Sequence, residues 1–263
     1  MTTRTIVITG AAAGIGRATA LTFARRGWTI GGYDIDEAGL ATLAEEVRSL
    51  GATAITGRLD VTDAEAFQTA IDDFVAATGR LDVLVNNAGI LRAGYFEDLS
   101  VQTHHREIDI NVKGVVNGVH AAFPHLKATK RSVVVNLSSA SAIYGQSELA
   151  NYSATKFFVR GLTEALDLEW ARHGIRVVAI WPLFVETAMT ADITTGTTES
   201  LGINLGPQDV ADTILTAVQQ PIGRRVLHQV HYPVGRQAAT LALGSRFSPA
   251  WLTRLVNKKL AAH

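Results

Sequence analysis

Two rhythms of apolar and polar positions alternate along this chain. Short runs rich in β-branched and apolar residues at 4–9, 28–33, 53–57, 81–85, 131–138, 174–180 and 225–230 read as strands. Several are apolar at nearly every position, as strands covered on both faces are. Between them, residues 14–26, 36–50, 63–78, 100–123 and 149–172 carry apolar side chains at helical spacing. This regular succession predicts an α/β fold: a single doubly wound domain with a parallel sheet flanked by helices, its ligands bound beyond the carboxyl ends of the strands. No short-period repeat, low-complexity tract or linker divides the chain. We read 1–240 as that domain and 241–263 as a tail. Thr187 to Gly206, rich in Thr and Gly, reads as a mobile loop or short helix.

The first strand ends in a glycine turn. Arg4 to Gly16 reads RTIVITGAAAGIG, and Gly10, Gly14 and Gly16 open a helix whose apolar positions begin at Ile15. Such a turn serves either tight packing or close approach. Without Cβ atoms the backbone can press against a diphosphate, and the free N–H groups at the helix start attract its charge. The spacing Gly-x3-Gly-x-Gly departs from the commonest dinucleotide fingerprint, so neighbouring residues decide between the two uses. Asp34 closes the second strand about 20 residues beyond the glycines, where an acid meets the adenosine ribose. A carboxylate there accepts from both ribose hydroxyls and repels a 2′-phosphate. Ile35 follows it, Ala11, Ala12 and Ala13 carry no charge, and the nearby cation, Arg17, lies inside the helix. These features predict NAD rather than NADP.

Composition narrows the field. The chain has 263 residues, 47% of them hydrophobic, ample for one large α/β core. Lys+Arg 24 against Asp+Glu 24 leaves no net charge, so a nucleic-acid partner has no electrostatic footprint. The absence of cysteine removes disulfides and thiol chemistry. The first strand starts too near Met1 to leave room for a signal peptide, and no apolar run approaches the roughly 20 residues of a membrane span. A cytoplasmic location is expected.

Candidate chemistry gathers at the strand ends. Asp60, before Val61 and the Thr62-Asp63 cap, is either turn chemistry or an acceptor for an adenine amino group. Asn86-Asn87-Ala88-Gly89 after the fourth strand either forms a turn or lets a cofactor lie against the backbone. Tyr152 and Lys156 stand one helical turn apart and leave the same face. Taken alone, such a pair is common on solvated helices. As a site pair, the ammonium would draw the phenol down from its ordinary pKa of about 10 and make Tyr152 an acid or base for a carbonyl/alcohol interconversion. Ser139 adds weight, because a very apolar strand (Val133 to Leu137) delivers its hydroxyl to the same sheet edge.

Thr9-Gly10-x3-Gly14-x-Gly16, Asp60-Val61, Asn86-Asn87-Ala88-Gly89, Asn111, Ser139 and Tyr152-x3-Lys156 together resemble the short-chain dehydrogenase/reductase family, in matching order and spacing from residue 4 to about 220. The resemblance implies a seven-stranded parallel Rossmann sheet, a nicotinamide cofactor and an active tetrad of Asn111, Ser139, Tyr152 and Lys156. It also picks Ser139 over Ser138. By the same resemblance Ser139 holds the substrate oxygen and Tyr152 exchanges its proton as hydride passes to or from the nicotinamide. Lys156 lowers the tyrosine pKa and holds the nicotinamide ribose, while Asn111 kinks its helix and holds a water in a relay to the lysine. The cofactor site comprises Gly10, Gly14, Ile15, Gly16, Asp34, Asp60, Val61, Asn87, Ala88, Gly89, Tyr152, Lys156, Val185 and Thr187. Leu183 stands where relatives have glycine after Pro182. No metal is required.

Segments that border the pocket in that family supply Leu91, Tyr95, Phe96, Ile143, Tyr144, Leu149, Leu183, Phe184 and Met189 here. Each buried CH₂ contributes roughly 0.8 kcal/mol, so a hydrophobic secondary alcohol or ketone is the expected substrate, steroid-like, terpenoid or acyl. The alternatives are an NADP-dependent carbonyl reductase and a non-catalytic NAD(H) sensor on the same fold. His228 and His231, three apart on a predicted strand, point to opposite faces and make no metal site. The tail, with Trp251, Leu252, Leu255, Val256 and Leu260 beside Arg254, Lys258 and Lys259, forms an amphipathic helix. Burial of this helix on the domain or on a neighbouring subunit is favoured over peripheral membrane contact. A dimer or tetramer through helices 100–123 and 149–172 is expected by analogy with the family.

Overall fold

The computed structural model describes residues 3–190, 195, 202–220 and 228–260. Strands β1 (Thr5–Thr9), β2 (Thr29–Asp34), β3 (Ala54–Arg58), β4 (Val83–Asn86), β5 (Val133–Leu137), β6 (Arg176–Trp181) and β7 (His231–Pro233) form one parallel sheet. Their order is β3-β2-β1-β4-β5-β6-β7. The chain winds outward one way from β1 through β3, then restarts at β4 on the other side of β1. The cleft between the ends of β1 and β4 is therefore the topological switch point, where open α/β sheets bind ligands.

Side chains alternate across each strand and build a core on both faces. Ile6 and Ile8 of β1 pack with Phe23 of α1 (Gly14–Ala24) and Leu43 of α2 (Glu37–Ser49), whereas Val7 joins Phe67 and Phe74 of α3 (Ala64–Thr78). Leu126 of α5 (Gly114–Ala128) and Trp170 of α6 (Ala150–Trp170) complete that second face. α7 (Pro207–Gln219) lies with α1, its Ile214 in the first core. Asp36 caps α2 and Asp63 caps α3, each accepting from a backbone N–H three residues on, at 3.0 Å.

The predicted helix 100–123 is longer and interrupted. α4 (Val101–Ile108), capped by Ser100, passes into a π turn over Asp109–Lys113 before α5 begins. Asn111 sits inside that turn, at the position where the resemblance implied a kink.

The seventh strand is displaced from its predicted place. Pairing with β6 falls on His231–Pro233, whereas 225–227 lie outside the described residues and 228–230 form no strand. The register is set by buried anchors: Tyr232 is in the core and the His231 ring stacks on Trp181 with centroids 4.2 Å apart. Pro233, lacking an N–H, sits at this sheet edge. His228 has φ +41 in a turn, so the two histidines do not share a strand. The loop expected over Thr187 to Gly206 starts with a turn held by Thr190 and returns at Leu205, which bridges Val185; 191–194 and 196–201 lie outside the described residues.

α8 (Gly235–Phe247) runs through residue 240, so the tail begins within a helix. Leu241 and Ala242 pack against the cluster around Trp181, and Asn257 of α9 (Ala250–Leu260) donates to the Gly145 carbonyl at 3.3 Å. Among the described residues no helix is long and apolar enough to cross a membrane.

Candidate active site

Residues at or just beyond the ends of β1 through β6 line a cleft of about 370 Å³. The glycine turn forms one wall, and its three glycines divide the two uses that the sequence left open. A Cβ on Gly16 would lie 2.0 Å from the Gly10 carbonyl oxygen, and one on Gly10 would lie 2.8 Å from Asn87 Nδ2, so both serve packing. A Cβ on Gly14 would meet only Thr187, at 3.4 Å; this glycine borders the cleft and keeps the backbone there bare. Asn87 staples the turn to β4, its Nδ2 donating to the Thr9 and Gly10 carbonyls at 2.9 and 3.0 Å. In return Thr9 Oγ1 accepts from the Asn87 and Ala88 N–H groups at 3.1 Å.

At one end of the cleft stand two carboxylates. Asp34 accepts from the Ala12, Ile35 and Asp36 N–H groups at 3.0, 2.7 and 3.1 Å. Asp60 accepts from the Thr62 N–H and hydroxyl, and Arg106 from α4 pairs with it at 3.3 Å. The Thr62 N–H foremost, then the Thr62 hydroxyl and Arg106, hold the Asp60 carboxyl below its usual range against a smaller opposing effect of burial. Arg17 is engaged elsewhere, paired with Glu46.

At the other end Ser139, Tyr152 and Lys156 line the cleft together. Ser139 precedes a single helical turn (Ala140–Ala142) that its Oγ caps, accepting from the Ser141 N–H at 3.1 Å. Its hydroxyl proton faces Ser141 Oγ at 3.1 Å, and Ser141 donates onward to Gln146 Oε1 at 2.9 Å. Lys156 is buried, its Nζ donating to the Leu137 carbonyl at the end of β5 at 2.9 Å and lying 5.4 Å from the Tyr152 ring centre.

The expected acidification of Tyr152 by its lysine neighbour is corrected here. Burial pushes the phenol up to about 12, with a hydrogen bond to Ser139 working against it and the Glu107 carboxylate adding to it. Burial likewise pushes the Lys156 ammonium down to about 8, with Glu107 opposing. Withdrawal from water disfavours the charged form of each group, and outweighs the attraction that the spacing suggested.

Of the nominated residues, Gly10, Gly14, Ile15, Asp34, Asp60, Val61, Asn87, Ala88, Gly89, Ser139, Tyr152, Lys156, Val185 and Thr187 all border this cleft. Gly16 and Asn111 lie behind it. Asn111 is buried, exchanging hydrogen bonds with Ile90 (N–H to Oδ1 2.9 Å, Nδ2 to carbonyl 2.8 Å) and donating to Thr155 Oγ1 at 3.2 Å. Of the apolar nominees, Leu91, Leu183, Phe184 and Met189 line the cleft, and Leu149 packs behind Leu91 and Phe184. Tyr95 and Phe96 face solvent, Phe96 stacked on His104 with centroids 4.3 Å apart, while Ile143 and Tyr144 are in the cluster around Trp181. Sequence reasoning missed Arg106, Ser141 and Gln146, polar residues whose spacing carries no motif.

The sequence matches the short chain dehydrogenase family over residues 4–198. This chain belongs to the short-chain dehydrogenase/reductase family. Within the family it is 37% identical over 215 residues to the 3-oxoacyl-[acyl-carrier-protein] reductase FabG of Thermotoga maritima, covering 80% of this chain and 87% of that protein. To the oxidoreductase UcpA of Escherichia coli it is 37% identical over 244 residues, 92% of this chain and 88% of that one. A short-chain dehydrogenase/reductase from Burkholderia phymatum, solved in complex with NAD, superposes with TM-score 0.81 at 26% identity over 93% of this chain and 92% of its own. One from Mycobacterium paratuberculosis, bound to NAD, gives 0.80 at 28% identity over 88% and 96%. The chain is thus an oxidoreductase of Rossmann fold, and its cleft fits the dinucleotide such folds hold: bare backbone at Gly14, small residues Ala88 and Gly89 opposite, and carboxylates at the far end.

Proposed function

We propose that this chain is an NAD-dependent oxidoreductase that interconverts a hydrophobic secondary alcohol and its ketone. The observation that carries the reading is a cleft with the glycine turn and Asp34 at one end and Ser139, Tyr152 and Lys156 beside an apolar wall at the other. Three of the roughly four acceptor sites of the Asp34 carboxylate are engaged by backbone N–H groups, so it presents its remaining one to a ribose hydroxyl and its charge to any 2′-phosphate. With Arg17 held by Glu46, that repulsion has no compensating cation in the glycine turn, which supports NAD over NADP.

The bound nicotinamide supplies the hydride acceptor or donor at its ring carbon C4. Ser139 Oγ, held in place by the Ser141 N–H, turns its one proton from Ser141 Oγ to the substrate oxygen. Tyr152 Oη passes the proton to the carbonyl oxygen in reduction and takes it from the hydroxyl in oxidation. A phenol pushed up to about 12 is protonated at neutral pH, the form that reduction uses. Lys156, fixed by the Leu137 carbonyl, holds the nicotinamide ribose and places positive charge beside the phenol. Asn111 supports this end by tying Ile90 to Thr155 across α6, and the water relay to Lys156 is assigned to it on the family resemblance.

Leu91, Leu183, Phe184 and Met189 favour an apolar substrate body. An acyl chain bearing a ketone is the form to test first, given the similarity to a 3-oxoacyl-[acyl-carrier-protein] reductase. We further propose a cytoplasmic dimer or tetramer, supported by exposed Val116 on α5 and Phe157, Phe158 and Leu168 on α6. The tail is assigned to the same domain on the strength of the Leu241, Ala242 and Asn257 contacts. The test is a panel of secondary alcohols with NAD⁺ and NADP⁺, and of ketones and 3-oxoacyl thioesters with the reduced forms, followed by nicotinamide absorbance. Lipophilic substrates with the NAD pair are expected to turn over fastest. A preference for small polyols or sugars would overturn the substrate class.

A further inference from the structure

Glu107, in the last turn of α4, is a carboxylate only 1% exposed. Burying a charge is costly unless every oxygen finds a partner, and here each does. Oε1 accepts from the Arg92 N–H at 3.0 Å and Oε2 from Asn151 Nδ2 at 2.7 Å. Arg92 follows Leu91, part of the apolar wall of the cleft, and Asn151 immediately precedes Tyr152 on α6. Asn151 cannot turn its amide over, because Nδ2 also donates to the His104 carbonyl at 3.2 Å and the flipped oxygen would face that carbonyl. The groups that bear on Glu107 are thus the Arg92 N–H, Asn151 and Lys156 from α6, and the His104 imidazole from its own helix. Its charge acts in turn on Tyr152 and Lys156, favouring the protonated form of both.

We propose that Glu107 is a positioning residue of the reaction, bridging the Arg92 backbone to Asn151 so that the apolar wall and the Tyr152 turn of α6 keep a fixed separation. The proposal rests on the function given above. Neither a loop contact nor a helix surface explains a carboxylate here, since an apolar residue would fill the same space without desolvating a charge. What an apolar residue cannot do is hold the two elements by directed hydrogen bonds on opposite oxygens and keep a negative charge beside the proton-exchanging pair.

The test compares Glu107→Gln and Asn151→Ala with the parent chain, by steady-state kinetics across pH and by hydrogen exchange at the Arg92 amide. Gln keeps the volume and an acceptor for Arg92 but loses the charge and the Asn151 bond. Glu107→Gln is expected to raise KM for the alcohol about tenfold, leave KM for NAD⁺ within about twofold, and move the alkaline limb of the rate profile to lower pH. Asn151→Ala is expected to raise the alcohol KM and to move the profile less than Glu107→Gln does, because the carboxyl group stays while burial, unopposed by Asn151, raises its pKa further. An unchanged profile and alcohol KM in Glu107→Gln, or an equal rise in both KM values, would overturn the proposal. Should that variant fail to fold, an unchanged alcohol KM in Asn151→Ala overturns it. If the parent chain shows no nicotinamide-linked turnover at all, the enzymatic reading fails separately, and exchange still decides the bridge. Faster exchange at Arg92 in Glu107→Gln supports it, and equal exchange rejects it.

Discussion

The Lys156 ammonium lies 5.4 Å from the centre of the Tyr152 ring and donates to the Leu137 carbonyl, 2.9 Å away at the end of β5. The strand that brings Ser139 to the cleft thus also fixes the lysine that faces the tyrosine. Because both side chains are withdrawn from water, their neutral forms are favoured, and the chemistry expected of the pair depends on pH in a definite sense.

Ketone reduction uses the protonated phenol, which a pKa raised to about 12 keeps available through neutral and mildly alkaline pH. Alcohol oxidation uses the phenolate and is expected to accelerate as pH rises. Lys156, lowered to about 8, carries its charge below that pH and loses it above. Initial rates in both directions between pH 6 and 10 check this: reduction should be flat or falling where oxidation climbs. Parallel profiles in the two directions would contradict it.

Asp34→Ala should move cofactor preference toward NADP by about tenfold or more, since it removes the charge that repels a 2′-phosphate. The same change strips an acceptor from three N–H groups and should lower the melting temperature of the chain without cofactor. The ratio of kcat/KM for the two coenzymes, with a thermal melt, reads both effects.

Gly16→Ala places a methyl 2.0 Å from the Gly10 carbonyl oxygen, a backbone atom that cannot step aside cheaply, whereas Gly14→Ala meets only Thr187 at 3.4 Å. The first should cost about 3 kcal/mol or more of stability and abolish dinucleotide binding. The second, at φ +52, should cost about 1–2 kcal/mol. Urea denaturation of both variants makes the comparison; equal losses would contradict the division of roles within the turn.

Ser139→Ala removes the hydroxyl proposed to hold the substrate oxygen and the oxygen that caps Ala140–Ala142. Activity should fall about 10²- to 10³-fold. NADH affinity should change little, measured by quenching or enhancement of its fluorescence. Gln146→Ala, acting on Ser139 through Ser141, should lower kcat by a smaller factor with the same sign.

Most of the sheet was legible because strands buried on both faces must be apolar throughout, as Val133 to Val135 are, and β1 through β6 fell within a few residues of their expected places. β7 was not, because three residues at an edge make no periodic signal, and of the apolar run before them the described residues 228–230 form no strand. The π turn at Asp109–Lys113 left the helical rhythm nearly intact and showed only through Asn111. Most motif residues landed in the cleft because they flank strand ends that topology gathers, with Gly16 and Asn111 just behind it. Four of the apolar pocket residues fared less well, since Tyr95, Phe96, Ile143 and Tyr144 sit in connecting segments whose side-chain directions no period fixes. Glu107 was silent: an acid on an amphipathic helix reads as solvent-facing until its neighbours are seen.

The central claim is that Tyr152 exchanges the substrate proton beside a bound nicotinamide. Tyr152→Phe keeps the ring and removes only the hydroxyl, so it should bind NADH as the parent chain does while kcat for the best alcohol of the panel falls at least about 10³-fold. A Phe variant that retains turnover within about tenfold of the parent would contradict the account, and so would a parent chain that binds NADH yet oxidises nothing.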